Sequence, residues 1–151
     1  MDVGRICSRR VTCLEANDTA LGAAQAMRDE AVGAIVVVER SERKRVPLGV
    51  VTDRDLVVRI LAVDPEHFTK MHLRELIPAD VVTCREHDEV SDVLALMNRR
   101  GIRRIPVVDA SGDLCGIVAL DDVLRAIADD MARVGLLVTG QRVAEVCRNG
   151  G

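Results

Sequence analysis

Apolar residues in this chain fall into short runs and helical stripes whose order occurs twice. Val11-Thr12-Cys13 reads as a short extended piece. Asp18 or Thr19 can cap a following helix that carries Leu21, Ala24 and Met27 on one face. Ala34 to Val38 is a β-branched run of the kind that forms buried strands, and the charged stretch Glu39 to Arg45 reads as a solvated hairpin connection. Leu48 to Val51 is the next strand and Arg54 to Val63 the next helix. Asp64-Pro65 ends that helix, because the residue before a proline avoids helical backbone. The second half repeats the order. Val82-Thr83-Cys84 echoes Val11-Thr12-Cys13 letter for letter, and Asp88 opens a helix with Val90, Val93, Leu94 and Met97. Ile105 to Val108 is a strand, Ser111-Gly112-Asp113 a tight turn, and Leu114 to Val118 another strand.

Asp18 and Asp88, Met27 and Met97, and Ile35 and Ile105 are each 70 residues apart. The offset falls to 67 between Gly49 and Gly116, because the first hairpin loop is three residues longer. An offset held over a helix and a strand marks an internal repeat. Each repeat is strand–helix–strand–strand–helix, and one alone leaves an apolar sheet face uncovered. Two can cover each other, which predicts an α+β architecture with a pseudo-two-fold axis and a cleft between the halves. Such clefts are where small ligands sit. The expected division is 1–70 for the first unit with its lead-in and linker, 71–131 for the second, and 132–151 for a helical tail. Val134, Leu136, Leu137, Val138, Val143, Val146 and Cys147 give that tail an apolar stripe, interrupted near Thr139-Gly140. The stripe can pack on a partner chain or, more simply, on its own.

The chain has 151 residues, 48% hydrophobic and 30% charged, enough for a sizeable core and unlike a disordered segment. A net charge of −3, one Phe and no Trp or Tyr argue against nucleic-acid binding, which rewards basic surface and stacking platforms. The odd number of cysteines, five without a Cys-x-x-Cys pair, is neither a disulfide framework nor a zinc pattern. With no signal-like or membrane-spanning stretch, the expected place is a reducing cytoplasm. His67, His72 and His87 lack metal-ligand spacing, and no nucleophile stands with a base. No enzyme is read here.

Candidate chemistry concentrates in Gly49-Val50-Val51-Thr52-Asp53-Arg54-Asp55, where a strand hands over to a helix. Thr52 and Asp55 have the spacing of a capping box, and the same amide groups can hold a phosphate. Gly116-Ile117-Val118-Ala119-Leu120-Asp121-Asp122 stands at the matching place.

These features, with Met27 and Met97 at helix ends and Ile105-Pro106-Val107-Val108-Asp109, resemble a pair of cystathionine-β-synthase-type (CBS) domains, or Bateman module, over roughly residues 3 to 131. The resemblance is to the stand-alone kind, and it implies a tandem CBS fold, face-to-face homodimers and an adenosine-containing ligand in the cleft. AMP, ADP or ATP come first, with S-adenosylmethionine or NADH behind them; no obligatory cofactor is implied. The family's ligand motif is glycine, a hydrophobic residue, any residue, Thr or Ser, two of any kind, then Asp. The first repeat meets it in full. Asp55 would accept from the ribose hydroxyls and Thr52 would offer its hydroxyl to ribose or phosphate. The second repeat keeps Gly116 and Asp122 but has Ala119 for the hydroxyl, so the Asp55 site ranks first. Arg103 and Arg104 either meet phosphate, as basic residues there do in the family, or are solvated at a strand end; Arg54 either reaches phosphate or covers the helix start. Val11, Thr12, Cys13, Val32 and Ala34 are adenine-slot candidates by the same resemblance, or simply core. The expected function is a regulatory adenine-nucleotide sensor acting on an unidentified partner protein. The alternative is an interaction protein with a degenerate pocket, working through dimerisation.

Overall fold

In the computed structural model the repeat becomes two three-stranded sheets, each with its own helices. The structure describes residues 1–149, with side chains through Val138; the expectations for Val143, Val146 and Cys147 fall outside those side chains. The first repeat runs β1 (Cys13–Glu15), α1 (Ala20–Glu30), β2 (Ala34–Arg40), β3 (Arg45–Thr52) and α2 (Asp53–Asp55), which continues as a π-helical segment, Leu56–Leu61. The second runs β4 (Cys84–Arg85), α3 (Val90–Arg100), β5 (Arg104–Val108), β6 (Leu114–Ala119) and α4 (Leu120–Asn149). In each sheet the middle strand pairs parallel with the first and antiparallel with the third. Both hairpins bulge at one place, between Val37 and Val38 and between Val107 and Val108. The architecture is of the α+β class, two units repeated in tandem, as the resemblance to a tandem CBS pair predicts.

β2 is buried on both faces, which its unbroken β-branched run anticipates. Ile35 and Val37 pack on the first repeat's helices with Met27, Leu56 and Ile60; Ile105 and Val107 do the same with Met97 and Val123. Val36 and Val38 point the other way and meet Leu114, with Val11, Cys13, Val50 and Ile117 around them. That third cluster joins the halves. A polar clamp pins their placement: Arg45 donates from its backbone to Asp113 Oδ1 at 2.6 Å and from its guanidinium to the Leu114 carbonyl at 2.9 Å.

The lead-in is more than an irregular start. Val3–Arg5 and Leu73–Glu75 are matching 3-10 turns, and each lies on the opposite repeat. The Val3 amide donates to the Asp88 carbonyl, and the Leu73 amide donates to the Asp18 carbonyl. The Val90 amide reaches Met1, and the Ala20 amide reaches Met71. All four pairs obey the 70-residue offset, so the repeat extends to the first residue.

Two expectations change. The echo of Val11-Thr12-Cys13 in Val82-Thr83-Cys84 is out of register by one. Cys13 pairs with Val36, while Cys84 pairs with Val107, so the structural match of Cys84 is Leu14. A shift of one residue exchanges faces in a strand. Cys13 therefore faces the other repeat and Cys84 its own core, where burial pushes the Cys84 thiol up to about 12. The second change is in the tail. α4 runs unbroken through Thr139-Gly140, and Val134, Leu136, Leu137 and Val138 are exposed rather than packed on the chain.

Candidate functional site

A cleft opens at the end of β3. Thr52 caps α2, and both bonds of the capping box are present: its hydroxyl accepts from the Asp55 amide at 3.2 Å, and its amide donates to Asp55 Oδ2 at 3.0 Å. The Thr52 hydroxyl also donates to Oδ2, at 2.8 Å. Thr52 thus holds the carboxylate in one orientation, with its own proton committed to Asp55. Oδ1 is left with the Arg59 guanidinium at 3.7 Å. A carboxylate oxygen accepts about two hydrogen bonds, so Oδ1 keeps capacity for a donor from outside.

Opposite stands the turn leading into β5. Gly101 ends α3 in a left-handed conformation (φ 64°), and the chain then delivers Ile102, Arg103 and Arg104 to the cleft. Val50, Thr52, Asp53, Arg54 and Asp55 complete the lining of a space of about 260 Å³. Gly33 makes room for it: a Cβ there would lie 3.3 Å from Asp53 Oδ2 and 3.6 Å from an Arg104 guanidinium nitrogen. Among the described residues no carboxylate comes within ion-pair distance of Arg54, Arg103 or Arg104. The three arginines outnumber the two carboxylates, Asp53 and Asp55, that line the same cleft, and such a set suits an anion with several oxygens, which guanidinium forks match in geometry.

The structure therefore brings Thr52, Arg54, Asp55, Arg103 and Arg104 together. Val11, Thr12, Cys13, Val32, Ala34 and Asp122 do not line this cleft. Val11 and Cys13 pack between the sheets, the Thr12 carbonyl accepts from Val36 in the β1–β2 pairing, and Ala34 lies beside Thr52 in the register of β2 and β3. Val32 is exposed beyond α1. Sequence reasoning had Val50 and Asp53 inside the motif without a role of their own, and missed Gly101 and Ile102. The 70-residue offset held the clue for one of them, since Ile102 is the repeat equivalent of Val32. Asp122 occupies the matching place on α4, accepting from the Ala119 amide at 2.9 Å and standing 3.9 Å from Arg125. With Ala119 in the hydroxyl's place, it lacks the second donor that fixes Asp55. No group of three His, Cys, Asp or Glu side chains that could hold a metal occurs among the described residues. None of their helices is long and apolar enough to cross a membrane.

Comparison with known proteins agrees with the fold. An uncharacterized protein of Methanopyrus kandleri is 33% identical over 125 residues, 83% of this chain, which spans only 62% of that relative. Hypoxic response protein 1 of Mycobacterium tuberculosis is 30% identical over 126 residues, covering 82% of this chain and 83% of that protein. A crystal structure of Hypoxic Response Protein I with two coordinated zinc ions superposes with a TM-score of 0.71 at 28% identity, over 83% of this chain and 98% of that one. The CBS domain pair of protein MJ0100, in complex with 5′-methylthioadenosine and S-adenosyl-L-methionine, superposes with a TM-score of 0.74 at 24% identity, over 86% of this chain and 98% of that one. The family model for the CBS domain matches residues 3–62 and again 73–129, and the chain belongs to that family as a tandem pair of CBS domains.

Proposed function

We propose that the chain is a regulatory module that binds one adenosine-containing ligand, a nucleotide carrying phosphate, in the cleft between Thr52–Asp55 and Ile102–Arg104. The observation that carries this reading is the pairing of a fixed, partly free carboxylate, Asp55, with three guanidiniums that have no ion-pair partner among the described residues. Asp55 accepts from the ribose hydroxyls through Oδ1, Thr52 keeps it aimed, and Arg54, Arg103 and Arg104 receive the phosphates. Val50 and Ile102 give the base its apolar contact. That an adenosine ligand is seen in a related domain pair supports the choice of base; the arginines favour AMP, ADP or ATP over the sulfonium compound bound there. Occupancy bridges β3–α2 of one repeat and β5 of the other, so a ligand stiffens the joint between halves and changes what a partner protein meets.

Thermal unfolding with AMP, ADP, ATP, NADH and S-adenosylmethionine tests this. Ligand at a hundred times its dissociation constant stabilises by about 2.7 kcal/mol, which moves a chain of this size by several degrees. Arg103→Ala and Arg104→Ala should each weaken the nucleotide about tenfold and leave plain adenosine unchanged. A panel with no shift at all removes the reading.

A second reading has one observation behind it. The cleft of about 260 Å³ is smaller than the roughly 300–1,000 Å³ of most ligand sites. In that reading the pocket is degenerate and the module acts through association alone.

A further inference from the structure

Among the described residues α4 departs furthest in length from its counterpart in the other repeat. Its counterpart in the first repeat ends at Leu61, whereas α4 continues to Asn149, 30 residues and about 45 Å long at 1.5 Å per residue. The match to the family ends at residue 129, so the last two-thirds of the helix lie beyond the domain pair. Along this helix Leu120, Leu124, Ile127, Met131, Val134 and Val138 follow one another at intervals of four, three, four, three and four residues. From Leu124 to Val138 that spacing averages 3.5 residues, the period that keeps a stripe facing a second helix and not a sheet.

The stripe is bare. Leu124 is 56% exposed, Ile127 44%, Met131 70%, Val134 59% and Val138 48%. Between Ile127, Asp130, Met131 and Val134 lies a shallow hollow, four residues bounding a hole such as one helix offers to a side chain of another. Ala128 and Gly135 flank the stripe, and a Cβ added at Gly135 would meet nothing within 4 Å, so a second backbone can come close.

The charges choose the occupant and its direction. Residues 121–130 carry four aspartates and one arginine, and residues 132–141 carry Arg133 and no acidic residue. An antiparallel pairing centred on Met131 sets 121–130 of one copy beside 132–141 of the other, away from its aspartates, whereas a parallel copy sets the aspartates of both against one another. A two-fold interface makes that placement twice. We infer that α4 pairs antiparallel with α4 of a second copy of this chain through Leu124, Ile127, Met131, Val134 and Val138, and that this pairing is separate from any contact made by the domain pair itself.

Sedimentation of the full chain over a range of concentrations reads this directly. The wild type should self-associate, and the double variant Met131→Glu, Val134→Glu should weaken association at least 100-fold. Both positions are exposed, so circular dichroism and the melting temperature should stay as in the wild type. Asp129→Arg with Asp130→Arg should weaken association about tenfold in low salt and by less in 0.5 M salt, because the introduced arginines would then meet Arg133 as like charges. A wild type that stays monomeric at 100 μM overturns the proposal, and so does a Met131→Glu, Val134→Glu variant with wild-type association. Unchanged association in the aspartate variant overturns the antiparallel arrangement.

Discussion

The two repeats share a scaffold and differ at the places where a ligand or a partner would be met. At the end of β3 stand Thr52 and Asp55; at the end of β6 stand Ala119 and Asp122. Before and at the start of β2 the chain has Gly33 and Ala34; at the matching places of β5 it has Arg103 and Arg104. The helix after β3 ends within three turns, and the helix after β6 runs on to Asn149. Internal core positions meanwhile hold their offset: Met27 and Met97, Ile35 and Ile105, Val37 and Val107 are all buried. Duplication thus supplies a symmetric core, and divergence at its rim leaves one cleft with a fixed carboxylate facing arginines.

That comparison can be broken most forcefully in the cores. Ile35→Ala and Ile105→Ala remove fully buried side chains from equivalent places, and each should cost about 2–5 kcal/mol of stability in denaturant titration. Losses that differ by more than the spread of that range would mean that the cores are not equivalent. The crossed lead-in segments are the next test. A Cβ at Gly49 would meet Ile77 side-chain atoms at 2.8 Å, and one at Gly116 would meet Cys7 Sγ and the Ser8 carbonyl at 3.0 Å. Gly49→Ala and Gly116→Ala should each cost about 1–3 kcal/mol by forcing the opposite segment outward. Neutral substitutions there would show that the segments do not hold the halves together.

The smallest contrast is at the helix ends. Ala31 and Gly101 both close their helices with positive φ, 54° and 64°. A left-handed conformation costs a residue with a Cβ roughly 1–2 kcal/mol, partly offset by the extra freedom glycine has in the unfolded chain. Ala31→Gly should therefore stabilise and Gly101→Ala destabilise, each by about 1 kcal/mol in thermal melts. Equal signs would contradict the match between the two ends.

Much of this was legible in the chain because buried positions repeat with a fixed offset, and buried positions are what composition constrains most. The β-branched run Ala34 to Val38 announced a buried strand, and Thr52 with Asp55 announced the cap of α2. What misled was identity without register. Val-Thr-Cys recurs at a spacing one residue off the true repeat, so Cys84 falls where Leu14 does, on the opposite face from Cys13. The lead-in match was hidden for the opposite reason. Val3 and Leu73, or Cys7 and Ile77, share burial and bonding but few letters, and backbone amides that pair across the halves leave no mark in side chains. Nor could local pattern show that the cleft takes Ile102 from one repeat and Val50 from the other. That depends on how the sheets meet at Val36, Val38 and Leu114.

Titration calorimetry with ATP, run on the wild type and on Asp55→Ala and Asp122→Ala, weighs one cleft against two. One molecule bound per chain, lost in Asp55→Ala and kept in Asp122→Ala, is the expected result. Two equal sites per chain, or binding that survives Asp55→Ala, would contradict a single cleft built on Thr52, Asp55 and the arginines of the second repeat.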